Sequence, residues 1–110
     1  MVTCSSNREA KKVAGSLLDK RLVACANIIP GIGSRFWWKG KIERAREVLV
    51  MMKTKKENFT RIEDEVKKLH SYDVPEIIAI PIIMGSKQYL KWIMEETKTQ
   101  YALRSTQYER

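Results

Sequence analysis

The only histidine of the chain, His70, has the widest range of possible chemistry. It begins the run His-Ser-Tyr-Asp-Val-Pro-Glu at residues 70–76. Its imidazole could bind a metal, act as a general base, or cap a helix at the carboxyl end, where the helix dipole favours a cation. No spacing in the chain resembles a structural zinc site. A metal site at His70 would therefore be loose, shared between subunits, or completed by the carboxylates of Asp73 and Glu76.

The two cysteines, Cys4 and Cys25, are too few for a disulfide scaffold, and neither belongs to a C-x-x-C motif. We therefore expect reduced thiols and a cytoplasmic location. Cys25 lies among small apolar residues and is expected to be a core residue of a strand. Asn27, in the same strand, needs hydrogen-bond partners if it is buried. Lys53 follows five apolar residues, where it could bind an anion or simply mark the end of a buried strand.

The sequence offers little support for catalysis or for nucleic-acid binding. It has no Gly-rich phosphate loop and no H-E-x-x-H motif, so we expect no enzymatic activity. Basic and aromatic residues alternate at residues 35–41, a mixture that can stack nucleobases. Residues 41–54, however, carry none of the aromatic side chains that an RNA-recognition domain places on its central strand. We therefore expect no nucleic-acid partner.

A single domain must position these residues, because 110 residues suffice for only one core. Twenty-one Lys and Arg against 13 Asp and Glu give a formal net charge of +8, but the basic residues are spread over several predicted elements. No apolar run approaches the ~20 residues of a membrane span, and no signal peptide is visible. We predict a domain at residues 1–98, a tail at residues 99–110, and no membrane partner.

A hydrophobic period of 3.6 residues predicts three helices, at residues 7–20, 56–70 and 87–97. Capping boxes, in which two side chains satisfy free N–H groups at the start of a helix, open the first two. Ser6 pairs with Glu9 in the first box and Thr54 with Glu57 in the second, and Ser86 caps the third helix.

Strand signals alternate with these helices, in the order β-α-β-β-α-β. A short apolar segment starts the chain, a long hairpin follows with its tip near residues 38–41 and a bulge near residues 30–33, and a last strand covers residues 76–84. This order predicts an α+β, ferredoxin-like fold: an antiparallel sheet with two helices on one face and an added C-terminal helix. The strands are apolar on both faces and the hairpin is long, so we predict an oligomer. Three tryptophans suit subunit contacts: Trp37, Trp38 and Trp92.

Several blocks of the sequence resemble the CutA, or divalent-cation tolerance, proteins. They include ACANIIP at residues 24–30, WKGKIE at 38–43, HSYDVPEI at 70–77 and YLKW at 89–92, and the resemblance covers about residues 2–97. It implies a ferredoxin-like subunit in a tight homotrimer, built by pairing of sheet edges between chains as in the PII signalling proteins. It also implies a link to tolerance of copper and other divalent cations in bacteria, without an established biochemical activity.

The resemblance further implies a cleft between subunits, lined by His70, Tyr72 and Glu76 together with Cys25 and Lys53. In this cleft His70 would supply a nitrogen ligand and Glu76 an oxygen ligand to Cu²⁺ or another divalent cation, with no obligatory cofactor. Two alternatives remain open. One is a PII-like sensor in which Lys53 and helix N-termini bind a small anion. The other is an assembly scaffold in which the same residues only brace the trimer.

The chain also departs from the family pattern. Its first strand is shorter, and the usual His-Pro-Tyr reads His-Ser-Tyr at residues 70–72. In the relatives proposed to bind copper, a strand-one cysteine falls at Val2 and a doubled histidine at residues 69–70. Of these ligands only His70 is present, although Cys4 lies nearby, offset along the strand.

Overall fold

The computed structural model describes residues 1–98, so the predicted tail at residues 99–110 lies outside the described residues. Three strands and three helices follow one another, with one turn of 3₁₀ helix before the second helix. They are β1 (Val2–Cys4), α1 (Asn7–Asp19), β2 (Cys25–Trp38), β3 (Lys41–Lys53), α2 (Phe59–Leu69) and α3 (Lys87–Glu96). In this part of the chain, no helix is long and apolar enough to cross a membrane.

The three strands form an antiparallel sheet in the order β1-β3-β2. Because successive residues of a strand point to opposite faces, β1 and β3 turn one set of apolar side chains toward the helices. The core lies between this face and the apolar stripes of α1 and α2, and its buried members include Val2, Cys4, Val13, Leu17, Val48, Val50, Ile62 and Val66. The α+β prediction is confirmed, and β1 is held in place by pairing along all three of its residues.

The long hairpin of β2 and β3 has the predicted tip and bulge. Its strands pair from Cys25 opposite Lys53 to Trp38 opposite Lys41, with a register shift between Ile29 and Ile32. At the tip, Lys39 and Gly40 have φ values of 50° and 78°, the left-handed pair that a tight two-residue hairpin turn requires. Within the described residues, β2 is an edge strand, so its outer side offers unpaired backbone groups.

Two of the three predicted helix caps are confirmed. The hydroxyls of Ser6 and Ser86 accept hydrogen bonds from the backbone N–H groups three residues later. The capping box of Thr54 and Glu57 is wrong, because the Thr54 hydroxyl instead donates to the carbonyl of Leu22 at 2.6 Å. That bond ties the end of β3 to the segment after α1, and α2 begins only at Phe59, after the 3₁₀ turn.

The strand predicted at residues 76–84 does not form among the described residues. Only Ile77 bridges to Val2, and Ile78 exchanges backbone hydrogen bonds with Met1. Because the pairing is antiparallel, residues after Ile78 pass beyond Met1 and have no strand residue opposite them. The segment nevertheless lies on the edge of β1 opposite β3, which is the position that a ferredoxin-like fold gives to its last strand.

Candidate metal centre

His70 ends α2, and its imidazole is completely buried beside β1. Its Nε2 lies 2.7 Å from the carbonyl oxygen of Thr3, and its Nδ1 accepts a hydrogen bond of 3.1 Å from the N–H of Tyr72. This pattern assigns the proton of a neutral ring to Nε2, because a carbonyl can only accept. The ring therefore joins β1 to the loop after α2. The His70 side chain does not cap α2, because its two ring nitrogens bind backbone groups outside that helix.

Two further ligand-type side chains converge on His70. The Cys4 sulfur, a Glu9 carboxylate oxygen and a His70 ring nitrogen all lie within 4.8 Å of one another. Glu9 Oε1 is 3.4 Å from His70 Nε2. The fold brings them together because Cys4 faces the helices from β1, while Glu9 lies in the first turn of α1. We call these three residues the Cys-Glu-His cluster.

Burial and hydrogen bonding set the charge state of the cluster. Burial is the main factor that raises the pKa of Cys4 to about 11, and the carboxylates of Glu9 and Glu47 add to it. For Glu9, burial acts to raise the pKa, but hydrogen bonds from Ser71 and Ser5 and the proximity of His70 together lower it. At neutral pH the cluster thus holds a protonated thiol beside an ionised carboxylate.

Tyr72 extends this polar network to a second buried acid. Its hydroxyl donates a 3.0 Å hydrogen bond to Glu47, whose side chain is buried at the point where β3 leaves the helices. Its ring lies 4.8 Å from the His70 ring, centroid to centroid. Burial, followed by the bond to Glu47, raises the pKa of Tyr72 to about 12. Tyr72 and His70 therefore form one structural unit within a single chain.

The predicted oxygen ligand, Glu76, does not join His70 within one subunit. Among the described residues no hydrogen bond or ion pair connects the two side chains, and Glu76 instead acts electrostatically on the amino group of Met1. Glu9 was not predicted as a ligand from the sequence, because its spacing from Ser6 already explained it as a capping residue. One signal was available in the sequence. The helix α1 starts directly after β1, so its first turn, which contains Glu9, lies beside Cys4.

The other two predicted binding residues form a separate group on the helix-free face of the sheet. Cys25 and Lys53 are register partners, and both donate to the Oδ1 of Asn27, the thiol at 3.8 Å and the lysine at a shorter distance. Asn27 is thus satisfied by its neighbours. No described contact links this group to His70, so the predicted common cleft requires a second subunit and stays a prediction.

The three tryptophans predicted to make subunit contacts are all exposed in the single chain. Trp37 is 73% exposed and Trp38 46% exposed at the hairpin tip, and Trp92 is 39% exposed on α3. Apolar neighbours of the same regions are open as well, among them Phe36, Ile42 and Met94. Exposure of this kind marks a surface available for contact.

Comparison with known proteins identifies the family. A family model described as CutA1 divalent ion tolerance protein matches residues 1–96. The chain belongs to the CutA1 divalent ion tolerance family. A CutA1-family relative, the divalent-cation tolerance protein CutA of Archaeoglobus fulgidus, is 51% identical over 94 residues, which are 86% of this chain and 91% of that protein. The chloroplastic protein CutA 1 of Oryza sativa is 41% identical over 88% of this chain, which spans only 55% of the rice protein.

Solved CutA1-family structures have the same fold. The protein of Thermus thermophilus superposes with a TM-score of 0.85 at 40% identity, covering 86% of this chain and 92% of that one. The Archaeoglobus fulgidus protein superposes with a TM-score of 0.84 at 50% identity over 87% and 93% of the two chains, and it is described as periplasmic.

The donor set of the Cys-Glu-His cluster fits a divalent cation. Thiolate, imidazole and carboxylate together suit zinc and copper, and three protein ligands leave a coordination position open. Two features oppose binding: the thiol is protonated, and His70 Nε2 already contacts the Thr3 carbonyl. A cation must therefore release the thiol proton, move the ring proton from Nε2 to Nδ1, and break the contacts of the ring with the Thr3 carbonyl and the Tyr72 N–H.

Proposed function

We propose that this protein is a non-catalytic homotrimer that acts in divalent-cation tolerance by binding a divalent cation, such as Cu²⁺, at the Cys-Glu-His cluster. The observation that supports this proposal is the convergence of Cys4, Glu9 and His70 ligand atoms within 4.8 Å. In this proposal Glu9 is the oxygen ligand, in place of the predicted Glu76.

Binding at this cluster would be linked to protons and to Tyr72. A thiol must lose its proton to bind a metal, so the affinity rises with pH. If Nε2 binds the cation, a neutral His70 ring must carry its proton on Nδ1. Nδ1 then no longer accepts the hydrogen bond from the Tyr72 N–H. The backbone of Tyr72 therefore moves on binding, which gives the protein a structural response to the cation.

The test is a calorimetric titration with Zn²⁺, which does not oxidise thiols, followed by Cu²⁺. We compare the wild type with Glu9→Gln and Glu76→Gln, since the two substitutions remove the same charge from the two competing oxygen ligands. We expect Glu9→Gln to weaken binding about tenfold or more and Glu76→Gln to leave it within about twofold. Cys4→Ser should reduce the rise of affinity with pH, with Cys25→Ser as its matched control.

The opposite order of the two glutamate variants would instead support the His70–Glu76 pair. Equal binding by His70→Ala and the wild type would contradict metal binding at either place. Circular dichroism of each variant shows whether it is folded, because Glu9 also receives bonds from Ser5 at the start of α1. Nuclear magnetic resonance of the Tyr72 amide reports the expected backbone movement directly.

The homotrimer is supported by the exposed tryptophans of the hairpin tip and by β2, whose outer edge has no partner strand within residues 1–98. An edge strand of 14 residues is a template for pairing with another chain. A cytoplasmic location remains part of the proposal, on the ground of the two free thiols.

The alternative of a PII-like sensor that binds a small anion at Lys53 is less favoured. Lys53, its predicted cation, donates to Asn27 and is already used within the chain. An assembly scaffold is the remaining alternative, and it predicts no cation response in the titration above.

A further inference from the structure

Three arginines meet on the outer half of the hairpin. Arg35 lies directly opposite Arg44 in the register, and Arg46 is two residues farther along β3, opposite Gly33. Directly paired residues share a face of the sheet, and so do residues two apart along a strand. All three guanidinium groups therefore leave the hairpin on one face.

This face continues the core face of β3 beyond the helices. Val48 and Val50 are buried on it, whereas Arg44 and Arg46 are exposed. A cleft of about 410 Å³ opens there, lined by Gly33, Ser34, Arg35, Arg44, Ala45 and Arg46. Gly33 adds no side chain opposite Arg46, and no atom lies within 4 Å of the place where a Cβ would be. We call this the arginine cleft.

Within the part of the chain that the structure describes, no carboxylate neutralises the three charges. Among the ion pairs of residues 1–98, none involves Arg35, Arg44 or Arg46. Like charges directly opposite each other destabilise an antiparallel pair. An oxyanion between them would remove this repulsion, and each planar guanidinium can donate two parallel hydrogen bonds to phosphate oxygens.

We propose that the arginine cleft binds a phosphate-bearing anion. Three guanidinium groups match the charge of a diphosphate or triphosphate better than that of a single phosphate. Such a group can come from an inorganic polyphosphate or from a nucleotide. The site is separate from the Cys-Glu-His cluster and shares no residue with it.

The test is calorimetric titration of the full chain with inorganic pyrophosphate and, separately, with ATP. The variant is Arg44→Gln, and the matched control is Arg61→Gln, which removes the same charge from an exposed position on α2. Loss of one charge-assisted pair of hydrogen bonds should weaken pyrophosphate binding about tenfold in Arg44→Gln. The control should stay within about twofold of the wild type. The affinity should fall as salt is added.

Each result has a definite consequence. Equal affinities for pyrophosphate and ATP, both lost in Arg44→Gln, would assign recognition to the phosphates alone. Tighter ATP binding would assign the natural source to a nucleotide. Equal weakening by both variants, or no binding of either anion, would overturn the proposal. So would a change in the oligomeric mass of Arg44→Gln without anion, because the cleft would then hold carboxylates of another subunit. Zn²⁺ binding by Arg44→Gln serves as a separate check on the metal centre.

Discussion

A buried histidine that also binds a metal must meet two opposing requirements, and His70 is such a candidate. A buried polar group is tolerated only when it is hydrogen-bonded, and both nitrogens of His70 have backbone partners. A metal ligand, by contrast, must offer a free lone pair. His70 can thus either keep its two backbone hydrogen bonds or bind a cation. Which state is favoured depends on the strength of the hydrogen bonds to Thr3 and Tyr72.

Tyr72→Phe should destabilise the protein by about 1–3 kcal/mol, because the buried carboxylate of Glu47 loses its hydroxyl donor. Its effect should also depend on pH. The pKa of Tyr72 is raised to about 12 from an ordinary value of 10. A raised folded-state pKa contributes stability that is complete below pH 10 and is lost as the pH rises toward 12. The wild type should therefore lose its advantage over Tyr72→Phe in this window.

Urea unfolding at pH 8, 10 and 11.5 or so, within the range where the fold persists, measures this difference. Tyr89→Phe is the matched control, since no hydrogen bond of its hydroxyl is found among the described residues. A constant difference between wild type and Tyr72→Phe across these pH values would show that the Tyr72 hydroxyl and Glu47 are not coupled as the structure has them.

Of the residues predicted to line a cleft between subunits, His70 and Tyr72 contact each other within one chain. The cleft itself stays a prediction, because it requires a second subunit. Glu76 was predicted as the oxygen ligand from the family resemblance and its closeness to His70 in the chain, but the structure places Glu9 at the ring instead. Glu9 is 61 positions away in sequence, and only the return of α1 along β1 brings it there. No local pattern carries that information.

At the scale of elements, the predictions held where one local preference decides the structure. The helices followed from apolar periodicity, and the hairpin tip from Lys39 and Gly40. The strand at residues 76–84 and the capping box of Thr54 were wrong because each depended on residues that are far away in the sequence. A strand forms only where another strand lies beside it, and the Thr54 hydroxyl found the carbonyl of Leu22 instead of a helix N–H.

Two glycines should respond in opposite ways to replacement by alanine. Gly40 has a φ of 78° at the hairpin tip, so Gly40→Ala should cost about 1–2 kcal/mol for a side chain forced into the left-handed region. Gly15 lies inside α1 with no atom within 4 Å of a new Cβ. Gly15→Ala should therefore stabilise the helix by about 0.5–1 kcal/mol.

Thermal or urea unfolding of the two variants measures the direction of each change in stability, and each variant is the control for the other. Stabilisation by both would mean that the hairpin tip does not need a left-handed residue at position 40. Destabilisation by both would mean that the surface of α1 at Gly15 is covered in solution, as a subunit contact would do.

At the scale of the whole molecule, the hairpin does not complete a compact subunit. Buried residues cluster where β2 and β3 lie beneath the helices, whereas the outer half from Gly33 to the tip is almost entirely half-buried or exposed. A paired arm of this length gains little by projecting into water with aromatic residues at its end. Its stability is accounted for if another subunit packs against the tip and the outer edge of β2, which leaves the face of the arginine cleft open. A trimer of such chains would carry roughly +24, which favours solubility outside the contact surface.

Replacement of Trp38 by glutamate should therefore break the assembly. Trp38 is 46% exposed in the single chain and lies at the hairpin tip, far from the core, so Trp38→Glu should leave the subunit folded. A charge buried at the centre of an interface costs several kcal/mol unless it is paired. Light scattering coupled to gel filtration should show the mass of three chains for the wild type and a smaller mass for the variant.

Leu18→Glu, at a position 40% exposed on α1, is the matched control and should keep the wild-type mass. If the wild type itself has the mass of one chain, the proposed trimer is wrong; if Trp38→Glu keeps the mass of three, the trimer stands but the hairpin tip is not its contact.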